Sequence, residues 1–325
     1  MSASARTVGI DRRVDMLRTA FGPAIAAALA DPNVVEILVN PDGSLWFDTL
    51  GGLGCVNSHL VIAPGDAERI IRLVAAEAKV DVHAGAPLLA TELPVSGERF
   101  QGVIPPVVRA PSFAIRKRAS SVISLDAYVD SNVLTQGHAR FLRAALHNLD
   151  NILIAGPTSS GKTTLANALL AEIAAEEGER VVLLEDTVEL QCASADHIAL
   201  RTTVDVSMAD LVRATLRLRP DRIVVGEVRG GEALDLLKAW GTGHPGGIAT
   251  IHANSPPAAL NRLEQLILES ATTVPRALIA DTVNVIVVIA GRGRQRKVER
   301  IVQVRGLTEH GYIFYEVEDL QGDIQ

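Results

Sequence analysis

The sequence predicts an α/β protein in which a mainly parallel sheet forms the C-terminal domain and a smaller α+β domain precedes it. The length of 325 residues suits about two domains, and a hydrophobic content of 48% is enough to bury their cores. After Asn151, short apolar runs alternate with helix-forming segments, which is typical of a parallel sheet with helices on both faces. We expect domains at 1–120 and 138–325, joined by a polar, irregular linker at 121–137.

The N-terminal part combines an amphipathic helix with several short strands. Between residues 11 and 30, apolar side chains recur at three- and four-residue steps, which predicts a helix that ends at Asp31-Pro32. These apolar residues are Val14, Leu17, Phe21, Ile25 and Leu29. The turn residues 40–43 (NPDG) separate two apolar runs and predict a hairpin. Further strands are predicted at 54–62, at 88–93 and on both sides of Pro105-Pro106 within 98–118, and a second helix at 67–78.

The C-terminal part contains four strand-like runs, NILIAG, RVVLLED, DRIVVGE and GIATIHAN. Helices are predicted to begin between them, at Lys162, Ser207 and Gly231. Ligands of open parallel sheets bind beyond the carboxyl ends of the strands. The polar residues that follow these runs are therefore the candidates for a functional site.

The composition argues against several classes of protein. The formal net charge is −7 and 3% of the residues are aromatic, which disfavours nucleic-acid binding and a DNA-translocating helicase. Cys55 and Cys192 are far apart, so neither a disulfide framework nor a zinc site is predicted, and a reducing cytoplasm is expected. The N-terminus lacks a hydrophobic signal core, and Asp281 and Asn284 interrupt the apolar stretch 278–290. No membrane span is therefore predicted.

Residues 156–163 match the phosphate-binding motif GxxxxGK[ST], directly after an apolar run and directly before a helix-forming run. Its glycines allow backbone N–H groups to surround phosphates, and the following helix presents its positive end to them. Lys162 is expected to reach the β- and γ-phosphates, and the Thr163 hydroxyl to bind Mg²⁺. A chance loop rich in glycine and serine is the alternative, and the complete motif in this context disfavours it. The predicted nucleotide-binding residues are Gly156, Pro157, Thr158, Ser159, Ser160, Gly161, Lys162, Thr163 and Thr164.

Two other strand-like runs end in carboxylates. Glu227 follows IVVG and Glu185 follows VVLL, so both are expected at the sheet edge where the phosphate-binding loop lies. Either could orient the attacking water or bind Mg²⁺, directly or through water. The alternatives are a helix-capping role for Glu227, before Gly230-Gly231, and an exposed loop position for Glu185.

Two histidines and two arginines are weaker candidates. His244 and His252 flank the run GIATI, and His252 could sense the γ-phosphate, although a histidine at a strand end is more often structural. No Cys or carboxylate in this run completes a metal site. In the N-terminal part, Arg99 and Arg116 could reach phosphates with their charged forks, and a solvated basic face is the alternative.

Four motifs occur along the chain in the order GPTSSGKT, LLEDTVEL, RPDRIVVGEVRG and GHPGGIATIHAN. In order and spacing they resemble the secretion ATPase superfamily, which includes the VirB11, type II secretion and type IV pilus motors. The segments ERFQGVIPPV, FAIRKR and RLRPDRIVVGEVRGGEAL are most similar to the VirB11 branch, particularly the TrbB conjugal transfer ATPases. The resemblance covers residues 33–289.

The resemblance implies a RecA-like P-loop NTPase as the C-terminal domain, an N-terminal domain lying on it, ATP between the two, and six subunits in a ring. It also implies that Arg99 and Arg116 contact nucleotide phosphates. Type II secretion and pilus assembly members usually carry a four-cysteine insert, which this chain lacks. Pilus-retraction ATPases lack it too and stay an alternative. The family names for the motifs are Walker A at 156–163, Asp box at Glu185-Asp186, Walker B at 223–227 and His box at 244–252.

The motifs together with this resemblance predict a cytoplasmic, hexameric ATPase that energises a type IV secretion or conjugative DNA transfer apparatus, with ATP and Mg²⁺ as cofactors. The predicted partners are further copies of the chain and inner-membrane proteins of the apparatus, through which it would attach peripherally to the membrane. A nucleotide-gated adaptor with little turnover is the alternative from another class. The predicted catalytic residues are Lys162, Glu185, Glu227 and His252.

Overall fold

The computed structural model describes residues 3–50, 54–94, 96–118, 122–176 and 178–318. The chain divides into two compact units, Met1–Ser120 and Ser121–Gln325. Each unit has its own β-sheet and its own buried hydrophobic side chains.

The first unit consists of helices and strands in a mixed order. They are α1 (Ala3–Ala30), β1 (Val34–Val39), β2 (Ser44–Thr49), β3 (Val56–Val61), α2 (Pro64–Ala78), β4 (Leu88–Glu92), β5 (Arg99–Val103) and β6 (Ser112–Arg116). The strands form one antiparallel sheet in the order β3-β2-β1-β6-β5-β4. Each strand and helix predicted for this part is present, so its mixed helix and strand composition is confirmed.

Helix α1 begins before the predicted position and is interrupted once. Gly22 has non-helical φ and ψ angles of 70° and 174°, because glycine tolerates a positive φ and the following Pro23 has no backbone N–H. Apolar residues of the predicted helix contribute to the core of the unit, whereas the side chain of Val14 lies outside the described part. The contributing residues are Leu17, Phe21, Ile25 and Leu29.

The second unit contains one eight-stranded sheet. The strands are β7 (Ile152–Ala155), β8 (Val181–Glu185), β9 (His197–Arg201), β10 (Arg222–Val225), β11 (Ile248–Ile251), β12 (Val285–Ala290), β13 (Lys297–Thr308) and β14 (Gly311–Glu316). The helices are α3 (Leu125–Asp130), α4 (Gln136–His147), α5 (Lys162–Ala174), α6 (Met208–Thr215), α7 (Glu232–Gly241), α8 (Pro256–Ile267) and α9 (Arg276–Thr282). The sheet order is β14-β13-β12-β7-β11-β10-β8-β9. Neighbouring strands among β12, β7, β11, β10, β8 and β9 pair in parallel, and β13 pairs antiparallel with both β12 and β14. The predicted mainly parallel sheet is confirmed.

Strand β7 lies inside this sheet, and its side chains alternate between two hydrophobic cores. Leu153 and Ala155 belong to the core under α6, α7, α8 and α9, and Ile152 and Ile154 to the core under α3, α4 and α5. Successive side chains of a strand point to opposite faces, so helices on both faces favour a strand that is apolar at every position. Parallel β11 and β12 flank β7, and the segments that follow these three strands therefore meet at one edge.

Of the predicted linker 121–137, the described residues 122–137 hold regular structure in place of an irregular linker. They contain α3 and the start of α4, and Leu125, Tyr128 and Leu134 are buried in the core of the second unit. The side chains of Ser124 and Thr135 cap the two helices. The polar residues that suggested a linker are helix caps and turns, and the apolar residues between them attach the segment to the second unit.

Four strands of this unit were not predicted from the sequence, β9, β12, β13 and β14. β9 lies at an edge of the sheet and has no fully buried residue. β13 and β14 carry many polar residues, so their hydrophobic patterns are weak. The apolar stretch 278–290 divides between α9 and β12. Across the described ranges, no helix combines the length and the apolar character that a membrane crossing requires.

A buried ion pair holds β10, the strand that leads to Glu227. The Arg222 side chain is 1% exposed and pairs with Glu179. It also donates hydrogen bonds to the carbonyl oxygens of Leu146 at 3.0 Å and Gly246 at 3.3 Å. A buried guanidinium that loses its carboxylate partner is strongly unfavourable, so this pair stabilises the start of the strand.

We expect Glu179→Gln to lower the free energy of unfolding of the second unit by about 2–3 kcal/mol, because the amide leaves the charge of Arg222 buried and unpaired. Glu176→Gln, the same change at an exposed position nearby, should lower it by less than about 0.5 kcal/mol. Urea unfolding followed by the fluorescence of buried Trp240, in a Trp46→Phe background, measures both. Equal unfolding free energies for the two variants would contradict this role of the ion pair.

Candidate nucleotide-binding site

The loop between β7 and α5 turns at two glycines that have no room for a side chain. A Cβ atom on Gly156 would lie 2.3 Å from the carbonyl oxygen of Ile289 and 2.5 Å from Ser160 Oγ. Gly161 has a φ of +97°, and a Cβ atom there would lie 2.9 Å from Arg296 Nε. Close approach and a positive φ both require glycine, which is the physical reason for the two glycines of the motif.

The same loop leads into the N-terminal end of α5. Gly161 precedes the helix, and no side chain in the described part of the chain caps its first turn. The first N–H groups of a helix have no intrahelical acceptor, and the helix dipole makes this end positive. Thr163 and Thr164 are partly exposed on that turn. Residues 156–164 thus form one continuous surface with the donors that phosphate groups need.

Lys162 is held inside the site by three acceptors. Its side chain is 7% exposed, and Nζ donates to the carbonyl oxygens of Gly156 at 3.0 Å and Pro157 at 3.1 Å. It also lies 3.2 Å from His252 Nδ1. Because β11 is the parallel neighbour of β7, the histidine that follows β11 reaches the loop that follows β7.

His252 connects this lysine to a carboxylate. Its Nε2 atom lies 2.6 Å from Glu227 Oε1. A lysine ammonium can only donate, so these partners assign Nδ1 as the acceptor and place the ring proton on Nε2. Burial and the charge of Lys162 lower the pKa of His252, and they outweigh the charge of Glu227, which raises it. The ring is therefore neutral at pH 7 and donates to Glu227.

Glu227 is the ionised centre of a chain of polar contacts. Its Oε2 atom accepts a hydrogen bond of 2.6 Å from Arg229, which also lies 3.3 Å from Asp186. Burial raises the pKa of Glu227, but the bond and charge of Arg229 together with His252 and Lys162 lower it more, and the net pKa lies below the ordinary glutamate value. A carboxylate that stays charged beside the phosphate-binding loop can bind the water shell of a metal ion or orient a water.

Glu185 lies at the same sheet edge in a more enclosed position. It is 3% exposed, and its Oε1 atom accepts hydrogen bonds of 2.7 Å from the backbone N–H groups of Glu189 and Leu190. Its Cγ atom lies 3.2 Å from the place of a Cβ atom on Gly226, the residue before Glu227. One oxygen of Glu185 thus shapes the loop after β8, and the side chain packs against the segment that carries the other glutamate.

The residues at this edge fit Mg²⁺ when a nucleotide is bound. Within the described residues, no group of three or more His, Cys, Asp or Glu side chains could hold a metal ion alone. Mg²⁺ keeps several waters and binds through one or two carboxylates together with substrate phosphates. The Thr163 hydroxyl beside the loop and the carboxylates of Glu185 and Glu227 match that preference.

Other predicted residues lie elsewhere. His244 Nδ1 lies 2.9 Å from the carbonyl oxygen of Pro220, a structural contact. Arg99 and Arg116 belong to the first unit, where they are cross-strand neighbours in β5 and β6, and Arg116 lies 3.6 Å from Glu36. Like charges on opposite strand positions repel each other, so an anion would stabilise this pair. That the pair contacts nucleotide phosphates stays a prediction.

The structure also adds arginines that were not predicted as site residues. Arg229 pairs with Glu227, Arg292 donates to the carbonyl oxygen of Thr158 at 3.5 Å, and Arg296 packs against Gly161. The available signals were the arginine two positions after Glu227 and the run GRGRQRK. A basic run between strands is more often a solvated loop, so the sequence alone did not single it out.

Comparison with known proteins identifies the family. Residues 29–303 match the family described as Type II/IV secretion system protein. The chain belongs to this family. A "Probable conjugal transfer protein TrbB" from Sinorhizobium fredii is 48% identical over 307 residues, which are 93% of this chain and 92% of the relative. The type IV secretion system protein VirB11 of Bartonella henselae is 30% identical over 301 residues, 80% of this chain and 83% of the relative.

Solved structures share the fold of this secretion ATPase. The pilus retraction motor PilT with bound ADP has a TM-score of 0.60 at 18% identity, over 90% of this chain and 80% of that chain. The ATPase DotB of Yersinia pseudotuberculosis has a TM-score of 0.59 at 17% identity, over 91% and 79%. The predicted resemblance to VirB11-like ATPases is confirmed by the family and its relatives, and so is the predicted class of function, an ATPase of type IV secretion or conjugation.

In this secretion ATPase we expect His252 to titrate below the ordinary histidine pKa, because burial and the charge of Lys162 disfavour its protonated form. Lys162→Met should raise this pKa and Glu227→Gln should lower it further, since each substitution removes one charge of known sign. Carbon-13 NMR titration of labelled histidine rings measures the shifts. Lys238→Met, at an exposed position, should leave the pKa unchanged. A fall in the pKa on Lys162→Met would contradict the geometry.

Proposed function

We propose that this chain hydrolyses Mg-ATP at residues 156–163 and works as a ring of six copies that energises a conjugative DNA transfer or type IV secretion apparatus. The observation that carries the proposal is the placement of Lys162, at the end of the phosphate-binding loop and joined through His252 to Glu227. The identity of 48% with a probable TrbB conjugal transfer protein favours conjugation as the process.

A RecA-like P-loop fold for the second unit is supported by its sheet order. β7 lies between β12 and β11, and β10 and β8 follow on the β11 side. His252 and Glu227 follow β11 and β10, and Glu185 is the last residue of β8, so we expect these side chains to succeed one another along the edge beside the phosphate-binding loop. In this arrangement each predicted motif contributes one group to a single site.

Transfer of the terminal phosphoryl group to water needs charge neutralisation and an oriented water. In the proposed reaction Lys162 leaves its carbonyl acceptors and donates to the β- and γ-phosphates, and the Thr163 hydroxyl binds Mg²⁺. Bound Mg²⁺ neutralises phosphate charge. Glu227 or Glu185 orients the water, and the Nε2 proton of His252 holds Glu227 in position.

The proposed partners are further copies of the chain and inner-membrane proteins of the apparatus. The proposed location is the cytoplasm, with peripheral attachment to the membrane through those proteins. In the described part of the chain, Cys55 and Cys192 form no disulfide bond, and disulfides are rare in a reducing compartment. Arg99 and Arg116 would add positive charge from the first unit to the nucleotide phosphates.

A pilus-retraction motor is the second candidate function. The observation that favours it is the TM-score of 0.60 with PilT. At 18% identity this likeness concerns the fold alone, whereas the TrbB relative is 48% identical. Restoration of plasmid transfer or of pilus retraction in cells that lack the corresponding ATPase separates the two functions.

We expect hydrolysis of ATP to require Mg²⁺ and to rise with protein concentration as the ring forms. Lys162→Ala should lower kcat by at least about 100-fold, because it removes a preorganised charge at the transferred phosphate. Lys238→Ala, at an exposed position of α7, is the matched control and should keep wild-type turnover. Steady-state kinetics and light scattering on the same samples measure both properties. A monomer that binds ATP tightly without turnover would favour the adaptor.

We expect Glu227→Gln and Glu185→Gln each to lower kcat by at least about 100-fold while ADP still binds, because an amide neither accepts a proton nor holds the water shell of a metal ion as a carboxylate does. Glu185→Gln keeps an oxygen for the two backbone N–H groups of its loop, so the fold should persist. Glu189→Gln, in the same loop, should keep wild-type turnover. Comparison of the three kcat values identifies the water-orienting carboxylate, and unchanged kcat in both variants would refute the proposed site.

A further inference from the structure

A basic loop connects β12 to β13 and lies beside the phosphate-binding loop. We define the basic loop as residues 291–297, which carry Arg292, Arg294, Arg296 and Lys297. In the ranges that the structure describes, these four side chains form no ion pair with a carboxylate. Four cations close together, without carboxylates between them, repel one another and attract an anion. This local charge is positive although the chain as a whole has a net charge of −7.

Arg296 packs directly on the phosphate-binding loop. Its Nε and Cδ atoms lie 2.9 Å and 3.1 Å from the place of a Cβ atom on Gly161, so the side chain touches the backbone just before Lys162. The Nε atom is buried and has no hydrogen-bond partner among the described residues. A guanidinium that is partly desolvated and unpaired favours a partner with acceptor oxygens and negative charge.

Two buried hydroxyl groups, like the Nε atom of Arg296, have no hydrogen-bond partner among the described residues. They are Tyr128 Oη and Ser160 Oγ. Burial raises the pKa of Tyr128 to about 12, and the charge of Arg296 acts on it in the opposite direction. The backbone links the two segments, since Val298 donates to the carbonyl oxygen of Val133, and Val133 donates to that of Tyr128. Buried polar atoms without partners are rare in folded proteins. Donors in this number match a ligand with several acceptor oxygens, such as a chain of phosphates.

The backbone holds the basic loop in place. Gly291 has a φ of +78°, and a Cβ atom there would lie 2.1 Å from the carbonyl oxygen of Gln295, so the loop turns tightly at its start. At its end, the Val298 N–H group donates to the carbonyl oxygen of Val133 at 2.8 Å. Arg296 is therefore presented to Gly161 by a constrained loop.

The position of Arg296 in the sheet order indicates which part of a nucleotide it meets. β11 and β12 lie on opposite sides of β7. The group around His252 and Glu227, placed for the reaction at the terminal phosphate, approaches the loop from the β11 side. Arg296 approaches it from the β12 side. It therefore lies away from the reacting end, toward the phosphates that ADP and ATP have in common.

We propose that Arg296 is a phosphate-binding residue, which contacts the α- or β-phosphate of a nucleotide held by the loop 156–163. The inference rests on the proposed nucleotide-binding function of that loop. Because the contact would be the same in ADP and ATP, Arg296 contributes to the binding of both and little to the chemical step. Its loss should raise KM and leave kcat nearly unchanged.

The experiment measures binding to the full chain by competition against a fluorescent ADP analogue, with ADP and inorganic tripolyphosphate as competitors. Arg296→Gln should weaken the binding of both competitors by at least about 10-fold, because a charged hydrogen bond is lost. Arg296→Lys, which keeps the charge, should lie between this variant and the wild type. Arg294→Gln, the same change at an exposed position of the same loop, is the matched control and should weaken binding by less than about 3-fold, because it removes a charge that solvent screens. At saturating ATP, kcat of Arg296→Gln should stay within about 3-fold of wild type.

Several outcomes would overturn the inference. Wild-type affinity of Arg296→Gln for ADP would do so, and so would a loss for ADP without a loss for tripolyphosphate, since the contact would then be to the nucleoside. A melting temperature without nucleotide that falls by more than about 4 °C in both Arg296 variants, with equal losses of affinity, would show a packing role at Gly161. If the wild-type chain itself bound no ADP, the proposed function and this inference would both fail. If the wild-type chain bound ADP and Arg296→Gln bound it equally well, only this inference would fail.

Discussion

The hydrogen bond from the Lys162 ammonium to His252 joins the phosphate-binding loop to the neighbouring strand, and the other polar groups of the site depend on it. An ammonium donates and never accepts, so the bond determines which ring nitrogen of His252 carries the proton. That nitrogen then donates to Glu227, whose other oxygen accepts from Arg229. This one contact thus determines which group donates in each hydrogen bond from Lys162 through His252 to Glu227. The neutral histidine separates the charged lysine from the charged glutamate.

The same bond also relates nucleotide binding to the carboxylate. In this structure Lys162 donates to Gly156, Pro157 and His252, and a phosphate bound in the loop competes with these acceptors for the ammonium. If the lysine turns to the phosphate, His252 loses a donor and the charge that lowers its pKa. Phosphate binding at the loop would then change the surroundings of Glu227 through His252 alone, without a change in the fold. Arg296 approaches the same loop from the other side of β7, at Gly161.

The parts of the fold that the sequence predicted are those with strong local patterns. β7, β8, β10 and β11 are buried at every position. Apart from Arg222, Glu185 and Thr250 their residues are apolar, so each strand appears in the sequence as a short apolar run between helices. The segment 121–137 was misread because its polar caps are local, whereas the burial of Leu125 and Tyr128 depends on the second unit packing over them. β9 was missed because it is an edge strand without a fully buried residue. β13, which lies between β12 and β14, was missed because its many polar residues give it a weak apolar pattern.

By itself the sequence determined the phosphate-binding loop, the edge of the sheet at which Glu185, Glu227 and His252 lie, and the family, because glycine spacing and the alternation of strands and helices are local properties. Only the tertiary structure decided which of these groups touch. The parallel order of the strands places His252 against Lys162, and the hairpin of β12 and β13 brings Arg296 against Gly161. Both contacts join residues far apart in the chain, and no local pattern encodes which strand will lie beside β7.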